Sequence, residues 1–284
     1  MIPPMLRTIG LFDSGVGGLS VLREVRRLLP SEKLVYFADQ ANVPYGPRPL
    51  REVRRFADEV TRFLLAQGAK LVVVACNTAS GAALHHLREA FPHVPFVGME
   101  PAVKPAAQLS RTRTVGVIAT RGTFQGVLFG RLVDRYAGDV RVITQTCPGL
   151  VERIEAGDTE GPKTRKLLET YLGPLLAEGI DTLVLGCTHY PFAIEAIRAV
   201  VGPGVRLVDP APAVALQVRR VLAERGLLEP ADGAGHTEFL TSGSPKPLGE
   251  ALVALLGEQA PVRRAVWTRG VLEVCPSRGG AGAG

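Results

Sequence analysis

Cysteine is scarce, with four residues in 284, and the positions Cys76, Cys147, Cys187 and Cys275 never fall into a CxxC. That spacing argues against a disulfide framework, so reduced thiols in a cytosolic protein are the expectation. Zinc is excluded on similar grounds, since Cys187 and His189 stand too close together for the usual ligand spacings. No apolar run approaches the ~20 residues that a membrane span requires. The start, MIPPMLRTIG, also lacks the apolar core of a signal peptide. A soluble, cytoplasmic protein without a membrane partner is therefore expected. There is no P-loop lysine and no full GxGxxG, so a nucleotide phosphate site has little support. Positive charge is present, a formal +6, but its arginines are spread along the chain. A nucleic-acid footprint needs a local patch, so an acidic small molecule is the better candidate for an anionic partner.

What is present describes a folded α/β protein. Hydrophobic residues make up 46% and charged residues 21%, a globular composition rather than a disordered one. The length suits two domains. Leu71 to Ala82, LVVVACNTASGA, is an apolar β-branched run that stops at Cys76 and continues into a plausible helix. Thr182 to Phe192, TLVLGCTHYPF, repeats the design around Cys187. In open parallel sheets ligands bind at such carboxyl ends.

Taken in order, Thr8 to Phe12 reads as a strand that delivers Asp13-Ser14-Gly15-Val16-Gly17-Gly18 into a helix over Leu19 to Leu29. A strand, glycine turn and helix in succession can cradle an anion with free N–H groups, although a tight turn alone explains the glycines equally well. Lys33 to Ala38 is a second strand, followed by Asp39 and a turn-rich loop, QANVPYGPRP, and then by a helix from about Leu50 to Ala66. Val94 to Gly98 forms a fourth strand. The order then begins again, with strands at Thr114 to Ala119, Val140 to Thr146, Leu183 to Gly186 and Val205 to Val208. Gly10 to Gly116 is an offset of 106, Cys76 to Cys187 of 111 and Pro101 to Pro210 of 109. Matches in constant order suggest a duplicated unit.

The predicted fold class is thus α/β, with two pseudo-symmetric doubly wound parallel-sheet domains and the active site in the cleft between them. Beyond Pro210 the chain offers a helix, AVALQVRRVLAERG, a strand-like HTEFLTSG and a helical run near Leu248 to Leu256. That is too little for a third domain. The predicted division is 1–100 with 210–284 as a discontinuous first domain and 101–209 as the second. The terminal SRGGAGAG reads as a frayed tail.

Two thiols placed alike would face one another across such a cleft. Both precede a helix start, where a thiolate is favoured, and His189 stands beside Cys187. Asn77, Thr78 and Thr188 have the residue types of helix caps, and Cys147 and Cys275 read as inert buried thiols. One carbon reached from both sides is the geometry for inverting a stereocentre, a thiolate removing a proton from one face while a thiol returns one to the other. Nothing in the sequence argues for pyridoxal phosphate or any other cofactor, so hydrogen bonds and water exclusion would have to stabilise the carbanion.

Asp13-Ser14-Gly15-Val16-Gly17-Gly18, Pro44-Tyr45-Gly46, Cys76-Asn77-Thr78-Ala79 and Gly186-Cys187-Thr188-His189-Tyr190-Pro191 occur in the order found in bacterial glutamate racemases. Over about residues 8 to 240 the chain resembles that family. The resemblance implies cofactor-independent, two-base racemisation of glutamate, supplying D-glutamate for peptidoglycan. It implies Cys76 and Cys187 as the acid/base pair, with Asp13, Ser14, Tyr45, Gly46, Asn77, Thr78, Thr188 and His189 holding the substrate, and Asp13 and His189 near opposite thiols. The side chains suit those tasks: hydroxyls, amides and backbone N–H groups bind carboxylates, and a carboxylate accepts from an ammonium. Asn77, Thr78 and Thr188 read equally as caps, Tyr45 as a turn residue and His189 as a buried histidine. Ala38 and Ala119 stand where the family usually has glycine. The segment Cys147-Pro148-Gly149-Leu150-Val151-Glu152-Arg153-Ile154-Glu155 lacks a second proline, so its register points to Glu155, with Glu152 the alternative, as the family's glutamate. Both stay outside the expected site.

Three rival readings remain open on the sequence: a racemase of aspartate or another amino acid, acyl transfer by Cys187 with His189, and a DNA-binding regulator. The oligomeric state is open, a homodimer included.

Overall fold

The sequence folds around two open sheets in the computed structural model, which describes residues 7–136, 138–231 and 233–275. The frayed tail expected at SRGGAGAG lies outside the described residues. Eleven strands are described: β1 (Thr8–Asp13), β2 (Lys33–Ala38), β3 (Ala69–Val74), β4 (Phe96–Gly98), β5 (Thr114–Ala119), β6 (Arg141–Thr146), β7 (Thr182–Gly186), β8 (Arg206–Val208), β9 (Thr237–Thr241), β10 (Val262–Thr268) and β11 (Val271–Val274). One sheet has the order β11-β10-β9-β2-β1-β3-β4 and the other β6-β5-β7-β8. Every pairing is parallel except β10 with β11.

Side-chain alternation explains why both faces of each sheet carry helices. In β1, Ile9 and Leu11 belong to one apolar cluster and Phe12 to the opposite one, all three fully buried, as a strand covered on both sides requires. The helices Leu19–Leu28 and Ala211–Glu224 supply Val21, Val25, Val214 and Val218 to the first cluster. Leu50–Ala66 and Asn77–Ala90 supply Val53, Val60, Ala83 and Leu87 to the second. On the smaller sheet Val117 and Ile118 divide in the same way, with Leu168, Leu172 and Ile197 on one side and Val103, Phe129 and Leu132 on the other. The duplication is visible in the orders β2-β1-β3-β4 and β6-β5-β7-β8. Gly10 of β1 pairs with Val35 and Val72, and its counterpart Gly116 of β5 pairs with Ile143 and Leu183.

Two features depart from the expected pattern. β10 and β11 form an antiparallel hairpin in a region read as having no further strand. Its turn places Arg269 at φ 50° and Gly270 at φ 88°, which is the backbone twist a two-residue hairpin loop needs. The expected caps are also absent: Cys76 itself is the extended residue before the helix Asn77–Ala90, and no side chain bonds into that helix start. After Cys187 the chain makes a 3₁₀ turn, Tyr190–Ala193, with His189 at its uncapped head. Asn77, Thr78 and Thr188 are thereby released from capping. No helix among the described residues is long and apolar enough to cross a membrane.

The link from the helix Ala211–Glu224 to β9 is pinned to the larger sheet by charge. Lys70 Nζ, 3% exposed, lies 2.7 Å from the buried Glu32 Oε2 and 3.1 Å from Glu229 Oε1, while Glu229 N donates to Glu32 Oε1 at 2.9 Å. Removing one partner from such a buried cluster strands a charge in low dielectric, so Lys70→Met should cost about 3–5 kcal/mol. Replacing both Lys70 and Glu32 by apolar residues should cost much less. Urea unfolding of the single and double variants measures the difference, and a single variant as stable as the wild type would show that the cluster holds nothing together.

Candidate active site

β1 ends at Asp13, β3 runs out through Ala75 to Cys76, β5 ends before Thr120, and β7 ends before Cys187. These four carboxyl ends converge where the two sheets meet. All ten residues expected in the site are buried. Asp13 is the hub: its Oδ1 accepts from Ser14 N at 2.6 Å and more weakly from Ser14 Oγ at 3.3 Å. Its Oδ2 accepts from Gly18 N at 2.5 Å and, across the sheets, from Thr188 Oγ1 at 3.2 Å. Ser20 Oγ reaches the Thr188 carbonyl at 3.0 Å, and Val16 N donates to Glu155 Oε1 at 2.8 Å. The approach is close enough that a side chain on Gly17 would collide with His189 Nδ1, and one on Gly15 with the Glu155 carboxylate. Those glycines serve backbone-to-side-chain contact between the halves.

Each thiol has its own ionisable companion. Asp13 is the charged group that acts on Cys76. Burial, then the charge of Asp13, pushes the Cys76 thiol well above its ordinary range. Burial also raises Asp13, opposed by the charge of His189. On the other side Cys187 Sγ lies 3.7 Å from His189 Nδ1, and His189 Nε2 lies 2.6 Å from Glu155 Oε1. Burial alone would lower His189, but its bonds to Cys187 and Glu155 outweigh that and raise it well above 6.5. Glu155 is lowered in turn, since the bond to His189 overcomes its own burial. The result is a Cys–His–Glu line on one flank and a Cys–Asp pair on the other. Each can pass a proton to or from a sulfur. Cys76 and Cys187 are 5% and 6% exposed, so both sulfurs are shielded from bulk water.

The remaining expected residues fall into two groups. Asn77 is 4% exposed, and its Oδ1 and Nδ2 meet no hydrogen-bond partner among the described residues. An unpaired buried amide is costly unless a ligand completes it. Thr78 Oγ1 lies 2.9 Å from Thr120 Oγ1 across the halves, and a side chain on Gly46 would come within 2.9 Å of Thr120 Cβ. Tyr45, by contrast, gives its hydroxyl to Asp39 Oδ2 at 2.6 Å, so it braces its loop. Cys147 is buried, its thiol pushed up to about 12 by burial and then by the charge of Cys187. Cys275 is only half-buried, contrary to expectation.

Two residues left out of the expected site belong to this cluster. Glu155 holds His189, and only its family register pointed to it. Thr120 meets Thr78, and the repeat offset of 106 that carries Gly10 onto Gly116 also carries Ser14 onto Thr120. A cavity of about 250 Å³ lies against Pro44, Gly46 and Pro47 on one side and Thr120, Cys147 and Pro148 on the other. A larger one, about 740 Å³, opens at the amino-terminal strand ends beside Arg111, Asp181 and Arg206, away from both thiols. Among the described residues, no group of three or more His, Cys, Asp or Glu side chains has a metal-binding arrangement.

The charge state of His189 gives a direct check. A lowered glutamate stabilises the fold in full above its ordinary value of 4.5 and a raised histidine in full below its ordinary value of 6.5, so both contribute fully between those values. The glutamate contribution is lost on acidification and the histidine contribution at high pH. Nitrogen-15 NMR should find both ring nitrogens of His189 protonated at pH 7.5. In Glu155→Gln the ring should lose protonation at lower pH than in the wild type, and an unchanged titration of His189 in that variant would show that Glu155 does not hold its charge.

Comparison with known proteins gives the chain a family. The family described as Asp/Glu/Hydantoin racemase matches residues 9–218. The glutamate racemase of Ectopseudomonas mendocina is 54% identical over 254 residues, covering 89% of this chain and 96% of that protein. Among solved structures, glutamate racemase isoform RacE1 from Bacillus anthracis superposes with a TM-score of 0.82 at 35% identity, covering 91% of this chain and 97% of its own. The Escherichia coli glutamate racemase in complex with L-glutamate and the activator UDP-MurNAc-ala gives 0.79 at 34%, covering 95% and 100%. A family match over most of the chain, spanning the turn after β1 and both thiol segments, makes this protein an amino-acid racemase belonging to the Asp/Glu/Hydantoin racemase family.

Proposed function

We propose that the protein interconverts L- and D-glutamate without a cofactor, by two-base proton transfer at Cα between Cys76 and Cys187. The observation that carries the reading is the pairing of each thiol with its own proton relay, Asp13 for Cys76 and His189 with Glu155 for Cys187. One thiolate takes the Cα proton as the C–H bond breaks, and the opposite thiol donates its proton to the other face of the carbanion. The configuration inverts, and the two sulfurs exchange protonation states. Ser14, Asn77, Thr78, Thr188 and the N–H groups around Gly46 bind the carboxylates, and Asp13 accepts from the ammonium. The walls of the cleft are residues 1–100 with 210–284 on one side and 101–209 on the other. Burial excludes water, so the fixed donors stabilise the developing negative charge more strongly than solvent would. The product D-glutamate would serve peptidoglycan synthesis in the cytoplasm.

The reaction is tested by incubating cofactor-free protein with L-glutamate in D2O. Deuterium should enter Cα while optical rotation decays to zero. Cys76→Ser and Cys187→Ser should each lower kcat by about 10²–10⁴-fold, the range for loss of a positioned acid or base. Exchange with L-aspartate and none with glutamate would move the substrate assignment to aspartate. Full activity in Cys76→Ser would end the two-base scheme and favour a single-nucleophile reaction.

A further inference from the structure

The carboxyl-terminal hairpin lies beyond the family-matched residues, yet it reaches the loop that carries Tyr45 and Gly46. The connection runs through Asp39, a fully buried carboxylate at the carboxyl end of β2. Asp39 N donates to the Asp13 carbonyl at 2.9 Å, which ties it to the hub of the site. Its Oδ2 accepts from Tyr45 Oη at 2.6 Å and Asn42 Nδ2 at 3.0 Å. Its Oδ1 accepts from Ser242 Oγ, just past β9, at 2.6 Å and from Trp267 Nε1 of β10 at 2.8 Å. Ser242 Oγ also takes Ala41 N at 2.9 Å. An apolar route runs in parallel. The Tyr45 ring stacks on Phe56 with centroids 5.6 Å apart, and Phe56 meets the Trp267 indole at 5.6 Å.

We propose that Trp267 is a positioning residue for the substrate loop: its indole N–H fixes the Asp39 carboxylate, and Asp39 fixes Tyr45 and with it the backbone of Gly46. The inference rests on the reading of that loop as part of the substrate site. A carboxylate has a limited number of acceptor directions. With Ser242 and Trp267 holding Oδ1, Oδ2 is left aimed at the tyrosine hydroxyl. Without the indole donor the carboxylate can turn, and Tyr45 follows it. The loop contacts bound substrate in ground state and transition state alike, so its misplacement raises KM with little change in kcat.

Trp267 is the chain's single tryptophan, so the protein carries its own fluorescent reporter at this contact. A saturating amino-acid substrate should change the emission of the wild-type protein, and unchanged emission would overturn the proposal. Trp267→Phe keeps a ring against Phe56 and removes only the N–H. The loss of one hydrogen bond, about 1 kcal/mol, predicts a KM raised about fivefold with kcat within about twofold. Ser242→Ala should do the same from the other donor, and it serves if Trp267→Phe does not fold. An unchanged KM in the folded variant, or KM and kcat changing together with a fall in thermal midpoint, would overturn the proposal. The assay uses whichever amino acid the wild-type enzyme racemises. Failure of glutamate as substrate therefore counts against the function above, and not against the role of Trp267.

Discussion

Asp13 is buried, and no cation among the described residues is in direct contact with it. Its oxygens are taken by two N–H groups of its own turn and by a hydroxyl from the other sheet. A carboxylate in that position is stable only while those donors stay in place, so the glycine turn, the Thr188 segment and the closed approach of the halves form one constraint. The glycines at 15 and 17 follow from it, because Glu155 and His189 occupy the space where side chains would stand.

The same constraint gives the two flanks different characters. Cys76 shares its burial with the Asp13 carboxyl group, whereas Cys187 shares its burial with an imidazole hydrogen-bonded to Glu155. A duplicated fold has therefore supplied equivalent strand ends and then diverged in the side chains around each sulfur. The counterpart of Ser14 is Thr120, and the halves touch through both the Asp13–Thr188 and the Thr120–Thr78 contacts. The proposed two-base chemistry uses the geometric equivalence, since one carbon must be reached from two sides.

Much of this was legible in the sequence because buried parallel strands have a plain signature. Lys33–Ala38, Thr114–Ala119 and the helix Leu50–Ala66 lie where the apolar runs and turn residues put them. The repeat offsets disclosed the doubled sheet, and the four motifs disclosed the family. The β10–β11 hairpin was hidden, because Arg263 and Arg264 interrupt the strand pattern and the turn uses Arg269 at positive φ where Asn, Asp or Gly gives the usual signal. The capping expectation failed at Asn77 because Cys76 takes the extended position before the helix and no side chain bonds into its first turn. The Glu155–His189 and Asp39–Trp267 bonds were beyond reach for another reason. Pairings over 34 and 228 residues leave no local pattern.

The central claim is spatial: one substrate carbon lies between the sulfurs of Cys76 and Cys187. A crystal structure of the protein with bound D- or L-glutamate measures it directly. Cα should lie between the two Sγ atoms, one sulfur on each face, with the α-carboxylate against Asn77 and the turn after β1. Glutamate bound with both sulfurs on the same side of Cα, or held in the cavity near Arg111 and Arg206 with the thiols closed off, would contradict it.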